Sequence, residues 1–328
     1  MRILVCGAAG FIGGHLAASL VRDGHDVVGI DINAPRFGAN SGVRMIQADL
    51  RDPAVVGSIL GEGFDEVYQL AADMGGAGYI FTGDNDAQVM HNSATINLNV
   101  VNTAAGVKNP PRLFFSSSAC VYPQQNQTDP DNPFCAEESA YPADPDSEYG
   151  WEKLFSERLY AAYARNHGLT VRIARYHNIF GPLCSWNDGR EKAPAALARK
   201  VAEAPDGGEI EIWGDGRQTR SFLYVDECVE GTVRLMRSDC AEPLNIGSEE
   251  MVTINELADR FIALSGKTLG KRHIPGPQGV RGRNSDNRLI GEKLGWRPSR
   301  PLADGMRELY SWIEGQVGLS TGPAEPSA

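Results

Sequence analysis

The chain has 328 residues, 42% hydrophobic and 22% charged, which excludes a wholly disordered or collagen-like protein. That length suggests two domains or one large α/β unit, and it buries enough surface to fold without disulfide staples. A net charge of −11 opposes general binding to phosphate backbones, so nucleic acid is not an expected partner, although a local basic pocket for a phosphorylated small molecule stays open.

Ile3 to Cys6 is a short apolar run ending at glycine, the pattern of a buried parallel strand. Residues 11–22 carry Phe11, Ile12, Leu16, Leu20 and Val21 at helical spacing, and Asp26 to Asp31 reads as a second strand ending on a carboxylate. Further strands are expected at Val43–Ala48, Glu66–Ala72, Arg112–Ser118 and Leu169–Ala174, with helices at 85–107 and 148–167. This alternation implies an α/β fold with a doubly wound parallel sheet of Rossmann type. Beyond Phe180, Gly181-Pro182 marks a turn, and loops rich in Gly and Pro become frequent. A helix is expected at 191–203, a strand at 209–213, a helix at Val252–Leu264 capped by Thr253 or Asn255, and a loop at 275–287. The sheet domain is assigned to residues 1–178 plus about 217–245. A smaller α/β substrate domain takes about 179–216 and 246–319, and a frayed tail 320–328.

Cys6, Cys120, Cys135, Cys184, Cys228 and Cys240 are scattered, with no CxxC pair, so no metal site is expected and the thiols read as free in a reducing compartment. The opening MRILVCGAAG is too short for a signal-peptide core, and no apolar stretch approaches 18 residues. A soluble, cytoplasmic protein with no membrane partner is the expectation.

Gly7, Gly10 and Gly13 lie between a strand and a helix, where small residues let backbone amides approach a pyrophosphate at the helix N-terminus. The spacing is GxxGxxG, and taken alone it also fits a tight turn with no ligand. Phe11 and Ile12 lie within the motif and join the candidate cofactor residues. Asp31 ends the next strand, about 20 residues on, where a carboxylate binds an adenosine ribose and repels the extra phosphate of NADP. NAD is therefore the expected cofactor. Asp49, with Leu50 beside it, is placed against the adenine, or else Asp49 is a turn residue. The small pair Ala71-Ala72 lets backbone pass close to the cofactor.

Tyr149 and Lys153 are four residues apart on a helical stretch and so share a face. An ammonium beside a phenol lowers the phenol's pKa, and the tuned tyrosine can take a proton from a sugar hydroxyl. Ser118, about 30 residues upstream at a strand end, can add a hydroxyl to the same site.

The glycine motif, the serine run and YxxxK resemble the extended short-chain dehydrogenase/reductases that act on nucleotide sugars. The strings AADMGGAGYI (71–80), SSSACVYP (116–123), HNIFGP (177–182), REKAPAA (190–196), WGDGRQTRSF (213–222) and HIPGPQGVRGRNSDN (273–287) narrow the resemblance. They are similar to the branch of that family that epimerises GDP-mannose at carbons 3 and 5. The resemblance implies a GDP-sugar substrate, a homodimer, and a transient 4-keto sugar formed by Tyr149, Lys153 and NAD. Cys120 and Lys192 would then act as the acid–base pair at carbons 3 and 5. Outside this setting Cys120 reads as a buried inert thiol and Lys192 as a surface lysine.

By the same resemblance Met74, Gly75, Gly76 and Gly78 line the sugar site with Ser118 and Ala119. His177 and Asn178 contact the diphosphate, and Glu191, Lys192 and Ala193 pass close to the sugar. Lys200 faces phosphate, Gln218, Thr219 and Arg220 meet the nucleotide, and Arg281 and Arg283 supply charge for the diphosphate. Ala77 replaces a larger residue expected in the glycine-rich loop, which enlarges the pocket. Two alternatives stay open: a 4-epimerase or other 4-keto chemistry on another GDP-sugar, and a non-catalytic NAD sensor.

Overall fold

In the computed structural model of the chain, which describes residues 1–34 and 42–321, the apolar residues of β1 (Arg2–Cys6) alternate between two layers. Ile3 and Val5 enter one core and Leu4 and Cys6 the other, so β1 is covered on both faces. A glycine turn leads into α1 (Phe11–Arg22), and β2 (Asp26–Asp31) and β3 (Arg44–Gln47) extend the sheet to one side. After α2 (Pro53–Leu60) the chain crosses to the other side of β1 as β4 (Glu66–Gln69). There follow α3 (Ala77–Ile80), α4 (Asp86–Gly106), β5 (Arg112–Ser118), α5 (Glu148–His167) and β6 (Val171–Tyr176). The chain then leaves the sheet through β7 (Ile179–Phe180), α6 (Ala193–Glu203), β8 (Glu209–Trp213), β9 (Thr219–Ser221), β10 (Leu223–Tyr224) and α7 (Val225–Met236). It returns as β11 (Leu244–Ile246), completing a seven-stranded sheet of order β3-β2-β1-β4-β5-β6-β11, parallel throughout.

The last segment adds β12 (Met251–Thr253), α8 (Ile254–Ser265), β13 (Gly270–Ile274), β14 (Gly282–Arg283), α9 (Arg288–Leu294) and α10 (Leu302–Thr321). With the strands left outside the main sheet it forms three small ones, β12-β9-β14, β13-β8 and β10-β7. Among the described residues no helix is long and apolar enough to cross a membrane, and all six cysteines are free thiols.

Several boundaries differ from the sequence reading. The expected strand Glu66–Ala72 stops at Gln69, whose side-chain amide donates to the Ala71 carbonyl (2.9 Å) and turns the chain out of the sheet. The expected strand Leu169–Ala174 runs two residues later, as Val171–Tyr176. Residues 252 and 253 belong to β12, paired antiparallel with β9, and the helix starts at Ile254. Thr253 is the cap: its hydroxyl accepts from the Glu256 amide (3.0 Å) while the Glu256 carboxylate accepts from the Thr253 amide (2.8 Å). Asn255 instead donates to the Asp215 carbonyl (3.0 Å). The loop 275–287 holds the two-residue strand β14, and Ser320 is still helical within α10, while 322–328 lie outside the described residues.

A buried ion pair ties α5 to the sheet. Arg175 of β6 donates to both oxygens of Glu157 (2.9 and 2.8 Å), and Ser117 of β5 donates to the same carboxylate (2.5 Å). Removing one partner strands the other charge in the core. Glu157→Leu is therefore expected to lose about 3–5 kcal/mol of stability, read as a lower urea midpoint.

Candidate active site

The strand order reverses beside β1, so a crevice opens at the carboxyl ends of β1 and β4. The turn after β1 lines a cleft of about 670 Å³ there. Gly7 adopts φ +82°, and a Cβ on it would lie 2.9 Å from the Ala71 amide nitrogen; a Cβ on Gly13 would lie 2.1 Å from the Gly7 carbonyl. Both glycines are thus forced by the close passage of backbone. The N-cap of α1, Gly10, offers no side-chain bond to the first-turn amides, which leaves them free for an anion. Asp31 accepts from the Ala9 and Asn33 amides (3.1 and 2.9 Å), which fixes its carboxylate on the rim. Gly7, Gly10, Phe11, Ile12, Gly13, Asp31, Asp49, Leu50, Ala71 and Ala72 all line this cleft. Asp49 is also a turn residue, since its carboxylate accepts from the Arg51 amide (2.9 Å) and is held by the Arg51 guanidinium (2.6–3.0 Å).

The deep end of the cleft joins a second lobe of about 370 Å³, and Met74, Gly75, Ser118, Tyr149 and Lys192 line both. Helix α5 positions the chemistry. Ser147 caps it by accepting from the Gly150 amide (3.2 Å), and a Cβ on Gly150 would lie 2.2 Å from the Cys120 carbonyl. That contact sets the start of α5 on the 3-10 turn Ala119–Val121, and Tyr149 and Cys120 pack in one apolar cluster with Ile80 and Val89. Ser118 accepts from the Cys120 amide (3.2 Å) and shares a hydrogen bond with Tyr149. Lys153, one helical turn on, donates to the Ser116 carbonyl (3.0 Å), its ammonium 5.5 Å from the Tyr149 ring.

The electrostatics correct one expectation. Despite Lys153, burial pushes the Tyr149 phenol well above 10, Cys120 and Glu152 push the same way, and the Ser118 hydrogen bond opposes them. Burial likewise raises the Cys120 thiol, with Asp146 adding and Arg283 opposing. It lowers the ammonium groups of Lys153 and Lys192; Glu152 chiefly draws the first back up, and the Cys120 thiol the second. Each group is thus held toward its neutral form in a shared low-dielectric site.

Gly76, Gly78, Ala119, Asn178, Glu191, Ala193, Lys200, Gln218, Arg220 and Arg283 line the second lobe. Arg220 donates only to the carbonyls of Thr219, Gln278 and Val280 (2.7, 3.2 and 2.7 Å). Burial and the neighbouring Arg283 bring it down to about 9, still a cation at neutral pH. The buried Oε1 of Gln218 has no partner, so this wall presents both a cation and a free acceptor. Three expected residues are not brought here. His177 is fully buried, its Nε2 is 2.8 Å from the Asn245 Oδ1, and burial lowers its pKa to about 3, so it carries no charge for a diphosphate. The Thr219 hydroxyl donates to the Pro130 carbonyl, away from both lobes. Arg281 points to the surface and pairs with Asp215 (3.0 and 3.1 Å).

Residues 3–247 match the NAD-dependent epimerase/dehydratase family. The chain belongs to that family. It is 45% identical to a GDP-mannose 3,5-epimerase of Arabidopsis thaliana over 97% of this chain and 83% of that protein. A GDP-mannose 3,5-epimerase of Oryza sativa subsp. japonica is also 45% identical, over 97% of this chain and 82% of that protein. Among solved structures, a Bacillus cereus UDP-glucuronic acid 4-epimerase in complex with UDP-glucuronic acid and NAD superposes with a TM-score of 0.81. It is 27% identical and covers 96% of this chain and 100% of that one. The protein is an NAD-dependent epimerase of this family, and the first lobe fits its cofactor: unsatisfied amides at an uncapped helix start, a rim carboxylate, and backbone that only glycine permits.

The epimerase/dehydratase motifs did not disclose a clasp at the boundary of the two lobes. Arg190, from the loop before α6, donates to the Asp73 carboxylate and the Met74 carbonyl (3.3 Å each) and to the Tyr79 hydroxyl (3.0 Å), with its guanidinium 4.1 Å from the Tyr79 ring centre. Gly76 donates to the Arg190 carbonyl (2.9 Å), and a Cβ there would lie 2.1 Å from the Glu191 carbonyl. Asn92 donates to Asp73 (2.9 Å) and accepts from Arg51 (2.8 Å), which carries the network to Asp49. No spacing in the sequence signals these contacts, because they join the turn at 49–51, the 71–80 segment, helix α4 and the loop before α6. Trp213, which lines the second lobe, likewise stands outside any catalytic spacing. Arg190→Ala is expected to raise the rate of NADH release about tenfold in stopped-flow fluorescence, the loss of about 1.4 kcal/mol of retention.

Proposed function

We propose that the protein converts GDP-D-mannose to GDP-L-galactose and GDP-L-gulose through a transient 4-keto sugar. The observation that carries this reading is the joining of Cys120, Tyr149 and Lys192 at one cavity junction, in a chain 45% identical to plant GDP-mannose 3,5-epimerases. When bound, NAD supplies a reversible hydride acceptor for carbon 4. Tyr149 takes the proton of the carbon 4 hydroxyl, Ser118 orients that hydroxyl, and Lys153 provides the nearby positive charge that a buried phenolate needs. The carbonyl at carbon 4 makes the hydrogens on carbons 3 and 5 acidic. Inversion requires a proton to leave one face and another to arrive on the opposite face; Cys120 takes the first and Lys192 delivers the second. Arg220 and Lys200 supply charge for the diphosphate, and the Trp213 side of the second lobe takes the nucleoside.

Six free thiols suit a reducing cytoplasm. We also read the protein as a homodimer. Leu98 of α4 and Trp151 and Phe155 of α5 are large apolar side chains left 40–47% exposed on two helices that pack together. Light scattering is expected to give twice the 35.5 kDa chain mass, and Phe155→Glu to shift it toward the monomer.

The decisive test is proton NMR of the NAD-loaded enzyme with GDP-α-D-mannose in deuterated buffer. Deuterium entering at carbons 3 and 5, together with new GDP-L-galactose and GDP-L-gulose signals, is the expected outcome. Cys120→Ala should slow that entry by about 10²–10⁴-fold. Inversion at carbon 4 without deuterium entry would overturn the proposal in favour of a 4-epimerase.

A further inference from the structure

The Cys120 thiol does not stand alone in its wall of the cavity. Arg283 of β14 sends Nη1 to the Cys120 Sγ (3.2 Å), Nε to the Gln127 Oε1 (2.6 Å) and Nη2 to the Asp146 carboxylate. All three arms of the guanidinium are engaged, so its plane is fixed. Asp146 has a side chain only 1% exposed, and its second oxygen accepts from the Ser147 hydroxyl (2.9 Å). Ser147 caps the helix that carries Tyr149. A carboxylate this deeply buried needs a partner, and its partner is the cation that touches the thiol. The expected role of Arg283, charge for a diphosphate, does not account for Asp146 or Gln127.

We propose that Asp146 is a positioning residue which, acting through Arg283, sets how readily the Cys120 thiol gives up its proton and where its sulfur points. This rests on the reading of Cys120 as the base at carbons 3 and 5. An unopposed guanidinium at 3.2 Å would stabilise the thiolate and leave it a weak base. The Asp146 charge offsets part of that cation, so the thiolate, once formed, stays basic enough to take a proton from carbon. Other groups facing Cys120 are Ser118 at the end of β5, Tyr149 and Lys153 of α5, Lys192 at the start of α6 and Arg220 of β9. Among these the direction of the Asp146 effect is upward on the thiol and that of Arg283 downward.

Two substitutions act with opposite sign. Asp146→Asn removes the counter-charge, so the thiolate forms at lower pH. Gln127→Glu adds a carboxylate to another arm of the same guanidinium, so the thiolate forms at higher pH. The measurement is iodoacetamide alkylation of Cys120 in the NAD-loaded enzyme across pH, quantified on the Cys120 peptide by mass spectrometry. The expected shifts are about one pH unit down for Asp146→Asn and about one unit up for Gln127→Glu. Coincidence of both profiles with wild type, or shifts in the same direction, overturns the proposal. If Asp146→Asn does not fold, the Gln127→Glu profile decides alone: an upward shift supports the coupling and an unmoved one overturns it. The base assignment fails separately, if Cys120→Ala still exchanges deuterium at the wild-type rate while the alkylation shifts hold.

Discussion

At Gly150 the backbone of α5 lies so close to the turn after β5 that a single added carbon would stand 2.2 Å from the Cys120 carbonyl. The reactive end of the protein depends on this contact. It seats the helix bearing Tyr149 and Lys153 against the strand end bearing Ser118 and the turn bearing Cys120. The Glu157–Arg175 pair holds the same helix further along, where its charges are fully sequestered. One contact therefore fixes the angle of α5, and the other fixes its distance from the sheet.

Burial is the second constraint. Tyr149, Cys120 and Lys153 are buried at one junction beside the half-buried Lys192, and desolvation drives each toward neutrality. Charges in such a place form only where a partner meets them. Lys153 lies over both the Tyr149 and the Phe115 rings, Arg283 touches the thiol, and Arg220 gives its hydrogen bonds in the wall to backbone carbonyls. The site is prepared to accept negative charge from a ligand and to move protons between groups that are individually reluctant to ionise.

The loops above the sheet carry the third constraint. Gly76 brings the 71–80 loop against the Arg190–Glu191 backbone, and Arg190 and Tyr79 close the gap between them. This clasp stands at the boundary of the two lobes, and Met74 beneath it lines both. A cofactor that must be reduced and reoxidised within one turnover has reason to be held behind such a closure.

The sequence alone determined the parallel sheet, because apolar runs ending at glycine and alternating with amphipathic helices leave few other folds. It also determined the helices at Asp86–Gly106 and Glu148–His167 to within a residue, and it singled out Gly7, Gly10, Gly13, Asp31, Ser118, Tyr149 and Lys153, which the structure gathers along one cleft. Tertiary structure decided what local spacing cannot encode. It sent His177 into a neutral hydrogen bond with Asn245, turned Arg281 outward to Asp215, and engaged Arg283 with Cys120 and Asp146. It set the Tyr149 phenol above its ordinary value, since a neighbouring ammonium is visible in sequence and a desolvated pocket is not. Periodicity reports which face of an element is buried; which distant charge meets it there depends on how loops from several crossovers converge at the ends of the strands.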